Sequence, residues 1–421
     1  MTYQIVPTIF GIGTSREAPK TLGTETSSFI GGEKTENITS LKPTSEGGYI
    51  ITGSFNSSKV EVGDYTLQNT AEKDGLLIKY DNNSNIEWAI SIGGERDEII
   101  EDATELESGE IAVVLNSNST KVSVGNSTID NTEDGMLIKF NAITGEMISY
   151  FLLEDTSLKI ESTQDGGMLV IADGYYYLLN KYDSTGQIQW STNIDGINEI
   201  TDIVELSNGE IAISAHTNDT TIRTWQTRVI DMSYNIQNNN AGAILKFDKN
   251  GKGLWIRTIG SNTNENEEEN ITSLIETTQG TLMATGYFRS DNLKIGNENI
   301  TWWGTGASGN GLLIEYDLSG NVLWHSHIKG RGRNCAVAET QDGGFAVLGL
   351  YNSHIEIEGH YVYVDGSSND CGVIIKYNKD REIDWAKGID GISKYISLST
   401  IESKEFLIQT TNGKLIMGCD T

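Results

Sequence analysis

Short apolar strands alternate with turns bearing glycine, Asn or Asp along almost the whole chain, and no segment sustains a 3.6-residue apolar period. The pattern predicts strands throughout and almost no helix. One phrase recurs: an apolar strand, a tight turn, then a strand with one tryptophan. It reads Leu76-Leu77-Ile78-Lys79-Tyr80-Asp81 with Trp88, and Leu178-Leu179-Asn180-Lys181-Tyr182-Asp183 with Trp190. It returns as Ile244 to Asp248 with Trp255, Leu313 to Asp317 with Trp324, and Ile374 to Asn378 with Trp385. A degenerate copy, Leu137-Ile138-Lys139-Phe140-Asn141, lacks the tryptophan and puts Ser149 and Tyr150 near its place.

A second phrase lies between these copies: a polar strand, a turn, then an apolar strand. Its turns are Glu46-Gly47-Gly48, Ser108-Gly109-Glu110, Asp165-Gly166-Gly167, Asn208-Gly209-Glu210, Gln279-Gly280-Thr281, Asp342-Gly343-Gly344 and Ser403-Lys404-Glu405. Asn-Gly and Asp-Gly pairs mark hairpins because both central residues must tolerate positive φ. Each unit therefore has four strands, A to D, with a variable connection between B and C. Four antiparallel strands in about 60 residues describe a propeller blade, whose faces are buried only by its neighbours.

The expected fold is all-β: a seven-bladed β-propeller with four antiparallel strands per blade. The blades span about 33–94, 95–154, 155–196, 197–260, 261–330 and 331–391, with 392–421 closed by 21–32. The last unit shows A near Tyr395–Ile401, B near Phe406–Gln409 and C near Leu415–Met417, then stops. Ser28-Phe29-Ile30-Gly31-Gly32 matches the D-strand end Ser91-Ile92-Gly93-Gly94, so an N-terminal strand is expected to close the ring and remove its free edge. Residues 1–20 are expected as an N-terminal extension.

The tryptophan turn Asp183-Ser184-Thr185-Gly186-Gln187-Ile188-Gln189-Trp190 resembles the docking motif of quinoprotein-type propellers. The repeat as a whole is similar to the bacterial β-propeller repeats of surface and secreted proteins. Gly47-Gly48-Tyr49-Ile50-Ile51-Thr52-Gly53-Ser54-Phe55 and Asp342-Gly343-Gly344-Phe345 carry that likeness, which covers residues 22–421. The resemblance implies a display platform and leaves the ligand open. Quinoprotein enzymes of this type are implied to be eight-bladed with a calcium site. Seven units and no calcium cluster are read here, so no enzyme and no cofactor are expected.

Composition narrows the partners. Lys+Arg 30 against Asp+Glu 59 gives a net charge of -29, which repels nucleic-acid backbones and anionic lipid. No apolar run approaches the ~20 residues of a membrane-spanning helix. Cys335, Cys371 and Cys419 form no CxxC pair; three buried thiols are expected, with one disulfide as the alternative. The start of the chain shows no basic n-region and no long apolar stretch, so no signal peptide is expected there. The Asn/Thr/Ser-rich acidic surface still suits an extracellular or cell-surface location.

The B–C connections carry the candidate binding residues. Val60-Glu61-Val62-Gly63-Asp64-Tyr65, Val122-Ser123-Val124-Gly125-Asn126, Leu293-Lys294-Ile295-Gly296-Asn297 and Ile355-Glu356-Ile357-Glu358-Gly359-His360 all read as an added hairpin. The third unit lacks it, and the fourth replaces it with a longer segment holding Arg223, Trp225, Arg228 and Tyr234. Exposed aromatics give large apolar area for little entropy loss at sugar and protein contacts. Tyr65, Trp225, Trp302, Trp303, Tyr361 and Tyr363 are therefore expected at the ligand, with packing against the neighbouring blade as the alternative. Arg331 and Arg333 of Lys329-Gly330-Arg331-Gly332-Arg333 complete the set; the cluster is able to pair with the acidic Glu265–Glu269 loop one blade earlier, with a solvated loop as the alternative.

His325 and His327, two apart on one strand, lack a third ligand, so no metal is expected. The Asp-led turns lack the alternating carboxylates calcium requires and read as Asp residues bonding their own turn. The function expected is a non-enzymatic module for adhesion or recognition of a glycan or protein, through the face carrying the B–C hairpins and D–A loops. The alternative is a structural module of a larger surface or appendage assembly, for which self-association would speak.

Overall fold

The computed structural model describes residues 8–12, 27–30, 32–34, 36–226, 229–235, 240–261, 268–290, 292–295, 298–301, 309–351, 355–362, 371–389, 406–410 and 415–420. All regular structure among them is strand. The chain forms two compact units, residues 1–189 with 402–421, and residues 190–401.

In the first unit, Glu36–Pro43, Tyr49–Phe55, Asp74–Tyr80 and Ile86–Gly93 form an antiparallel meander in chain order. Glu98–Glu105, Glu110–Ser117, Gly135–Asn141 and Met147–Leu153 repeat it. Thr156–Ser162, Met168–Asp173 and Tyr177–Tyr182 begin a third. In the second unit the meander recurs over Glu199–Ser261, Glu269–Ile328 and Gly332–Ile389. These are the four-strand repeats that the alternating pattern predicts.

The core lies between successive sheets. Ile50, Leu77 and Ile92 of the first repeat pack with Ile100, Val113 and Ile138 of the second. Leu106, Val114 and Leu137 then meet Ile160, Met168 and Tyr182 of the third. In the second unit, Ile244 and Ile259 pack with Leu282 and Ile314, and Met283 and Leu313 with Val347 and Ile375. One sheet buries too little apolar surface alone, so the next sheet covers its face.

The A strands of successive repeats are joined at their bulges. Each described A strand carries an irregularity, between Ile38 and Ser40, Ile100 and Asp102, Ser157 and Lys159, Ile200 and Asp202, Ile271 and Ser273, and Asn334 and Ala336. The bulge turns one side chain out of the ladder. Thr39 so donates to the Ile100 carbonyl, Thr201 to that of Ile271 at 2.7 Å, and Thr272 to that of Asn334 at 3.1 Å. Each acceptor belongs to the next repeat. Cys335 takes the same bulge position; it is buried, and its thiol donates to the Arg333 carbonyl at 3.9 Å.

The chain ends share one sheet, ordered Ser27–Ile30, Thr8–Ile12, Leu415–Asp420, Phe406–Gln409. Thr8–Ile12 lies parallel to both neighbours, with Thr8 opposite Ile416 and Ile9 opposite Ser27. This differs from the expected arrangement. Residues 27–30 do not lie beside the last strand, because residues 8–12, expected in an extension, stand between them. Ile30 and Ile416 pack with Ile38 and Phe55 of the first repeat. The expected A strand at 395–401 lies outside the described residues.

Candidate functional site

Every repeated turn is locked by its first residue. Asp81 Oδ1 accepts from the Asn83 and Asn85 amides at 2.8 Å, and Asp317 Oδ1 from those of Ser319 and Asn321 at 2.9 and 2.8 Å. Asp183 accepts from the Thr185 hydroxyl and from the Thr185 and Gln187 amides, and these donors hold its carboxyl below the usual range. The Asp-led turns thus do bond themselves, and the first-named carboxylate oxygen of each is spent on its own backbone.

The glycine of the turn receives the tryptophan of the preceding repeat. A Cβ on Gly145 would lie 2.9 Å from the Trp88 ring, and Trp88 Nε1 donates to the Ala142 carbonyl at 2.9 Å. Trp190 lies against Gly251 in the same way, and Trp255 Nε1 donates to the Leu318 carbonyl at 3.1 Å. The second repeat has no tryptophan, and there Phe151, two residues beyond Ser149, fills the place against Gly186. Sequence register alone pointed to Ser149 and Tyr150; the side chain that docks is one alternation further along the same face.

A lysine at a fixed place in the third strand went unremarked in the sequence. Lys79, Lys139, Lys181, Lys246 and Lys376 are buried in otherwise apolar strands. Their stems pack in the core while the ammonium reaches polar groups at its rim. Lys139 donates to the Ser184 carbonyl and Lys246 to that of Leu318, both at 2.7 Å, each in the next repeat. Lys376 pairs with Asp342 at 2.9 Å and Lys181 with Asp165 at 2.6 Å. The signal was available: one charge recurring two residues before the Asx of each turn.

The B–C hairpins are sewn onto the preceding sheet. Lys121–Val124 pairs through Ser123 and Val124 with Gly93 and Ile92. Asn292–Ile295 pairs through Lys294 and Leu293 with Gly260 and Ser261. In the fourth repeat Trp225 to Arg223 lie opposite Asn193 to Asp195. The alternate apolar residues, Val122, Val124, Ile129, Leu293, Ile295, Ile355 and Ile357, are all buried in the inter-sheet cores. The alternation seen in these connections is that of strands with one face on a core.

The candidate binding residues divide accordingly. Tyr65 is half-buried and donates to the Glu87 carbonyl at 2.9 Å, so its ring serves the hairpin. Trp225 is half-buried, and its carbonyl accepts from Asn193 Nδ2 at 3.4 Å. Trp302, Trp303 and Tyr363 lie outside the described residues. Tyr361 is 60% exposed. It stands opposite Glu356, whose backbone exchanges hydrogen bonds of 2.8 and 2.9 Å with Lys329. The Lys329 ammonium also meets the Glu356 carboxylate at 3.0 Å. The D–A loop holding exposed Arg331 is thereby fastened to the hairpin holding Tyr361. Arg333 is half-buried on the strand that follows.

The acidic Glu265–Glu269 loop is only partly described. Glu268 accepts from Tyr287 at 2.6 Å and pairs with Arg289 at 2.8 Å. Burial, then Glu268, pushes the Tyr287 phenol up. His327 has its pKa lowered by burial and by Lys329 and His325. Among the described residues, no group of three or more His, Cys, Asp or Glu could hold a metal ion, and no helix is long and apolar enough to cross a membrane.

No protein-family model matches the chain, and no curated protein matches its sequence. Similar solved structures include BamB from Moraxella catarrhalis, 12% identical over 89% of this chain and 94% of that one, with a TM-score of 0.38. The Dos1 propeller is 11% identical over 86% of each chain, at 0.42. A protein of unknown function from Bacteroides caccae is 13% identical over 69% of this chain and 81% of that one, at 0.36.

Proposed function

We propose that the chain is a seven-bladed β-propeller serving as a non-enzymatic binding and display module for a glycan or protein, outside the cell or at its surface. The observation that carries this reading is how the repeated polar side chains are used. The turn aspartates, the strand lysines and the bulge threonines recur, and each is engaged in its own turn, its own sheet or the next sheet. What varies is the B–C connection, and its outward residues differ from repeat to repeat. Repeated parts build the scaffold; variable parts remain for recognition.

The surface most suited to a ligand joins Tyr361 and Arg331, with Trp302, Trp303 and Tyr363 expected near it from the sequence. An aromatic ring beside a guanidinium suits a sugar ring or an acidic peptide. A glycan-array screen together with direct binding to candidate acidic peptides tests this. The reading is supported by binding that falls at least tenfold in Tyr361→Ala/Arg331→Ala while the melting temperature stays unchanged. It is overturned by chemical turnover of a bound compound, or by binding of a glycan or acidic peptide that the double variant leaves intact.

A further inference from the structure

Three of the hairpins show what the outer end of a D strand ordinarily receives: two or three residues of antiparallel partner. The second repeat ends without one. The third repeat joins Met168–Asp173 to Tyr177–Tyr182 through residues 174–176 alone, a connection too short for a hairpin. Leu153 pairs with Gly135 as Ile92 pairs with Gly75, so it stands where hairpin pairing falls in the first repeat. Among the described residues, Met147–Leu153 is the edge of its sheet.

That edge is neither short nor guarded by lysine or proline, the usual defences of an exposed strand. Its outward face shows Ile148 at 48% and Tyr150 at 41% exposure, and Ile143 is 82% exposed in the turn before it. Tyr175, at the tip of the shortened connection, is 92% exposed and meets Tyr176 edge-on at 4.6 Å. Acidic groups gather at the strand's end. Glu154 is exposed, and Asp155 crowds Gly174, where an added Cβ would lie 3.1 Å from its carboxylate. Burial, then Asp155, raises the pKa of Asp173.

We propose that this edge is a strand-addition site that takes an extended segment of a partner protein. The segment runs antiparallel, carrying Lys or Arg where it passes Glu154 and Asp155 and apolar residues opposite Ile148 and Tyr150. Main-chain hydrogen bonds supply affinity in this mode, and alternate side chains supply specificity. The site rests on the reading of the chain as a binding module and adds to it a second surface, distinct from the Tyr361–Arg331 one.

The probe is a fluorescent, end-blocked ten-residue peptide, with alternating Lys and Thr in its first half and alternating Val and Thr in its second. Anisotropy with the full chain should show saturable binding. The same peptide N-methylated at alternate residues keeps its charge but loses its donors, and should bind at least tenfold more weakly. Glu154→Lys should weaken binding about as much. Grafting residues 119–131 in place of 174–176 should abolish it by supplying the missing hairpin. Equal binding of the methylated peptide, or no saturable binding, overturns the site. A dimer of the chain that the graft dissociates would also overturn it, by making a second copy the occupant. Tyr361→Ala/Arg331→Ala should leave peptide binding unchanged, so the edge and the hairpin surface fail or stand separately.

Discussion

Glu315 stands where five repeats place lysine, and its compensation is in the next repeat. Arg381 replaces the turn glycine, holding φ at 70°, and its guanidinium forks onto Glu315 at 2.5 and 2.8 Å. Left-handed backbone at a non-glycine residue carries strain that the pair offsets. Glu315→Lys alone faces Arg381 and should destabilise by roughly 2–4 kcal/mol, because a buried pair is broken. Adding Arg381→Gly restores the arrangement of the other repeats and should recover most of the loss. Urea denaturation of both variants checks this; equal stability of the single and double variants would show no coupling.

Glu98 offers a second test at the same scale. It is fully buried, accepts from Ser117 Oγ at 2.8 Å, and leaves Oε2 without a partner. Burial raises its pKa to about 7, against the lowering effect of Ser119 and Ser117, with Asp74 and Asp97 adding to the rise. The native state thus keeps a proton that the unfolded chain has released. The contribution of Glu98 to stability is then full below the ordinary glutamate range and is lost as pH rises toward about 7. Glu98→Gln should flatten that slope between pH 5 and 8 in thermal melts. An unchanged slope would place the titration elsewhere.

At the scale of elements, the tryptophan and its glycine act as one joint. Trp88 is 5% exposed, and truncating it to Ala should cost ~3–5 kcal/mol, the range for a buried aromatic. Trp190 is only half-buried, so Trp190→Ala should cost less. Phe151→Ala should weaken the joint on Gly186, whereas Ser149→Ala should not. Denaturant midpoints of these four variants rank the contacts directly. The strands, turns and tryptophan repeat were legible because each is written locally, as alternation and as Asx or glycine. The docking of Phe151 was not, because it depends on which face the next sheet covers. The bulge threonines were visible as Ile-Thr pairs in Ile38-Thr39, Ile200-Thr201 and Ile271-Thr272. Their partners lie one repeat away, which a single repeat's sequence does not show. The hairpins were read as strands, and their role in bridging sheets came only with the pairing register.

For the whole molecule, the joined termini carry the argument. Thr8–Ile12 and Ser27–Ile30 complete a sheet begun by the C-terminal strands. Deleting residues 1–31 should expose Ile416 and Ile38 and lower the melting temperature by several degrees, since the sheet edge and part of that core lose their cover. A truncated chain that melts like the parent would remove the N-terminal strands from the fold's support. Small-angle scattering of the full chain tests the proposal of a closed propeller most directly. A compact ring of 421 residues predicts a radius of gyration near ~22 Å with one smooth maximum in the distance distribution. A clearly larger radius with two maxima, as two tethered bodies give, would contradict it.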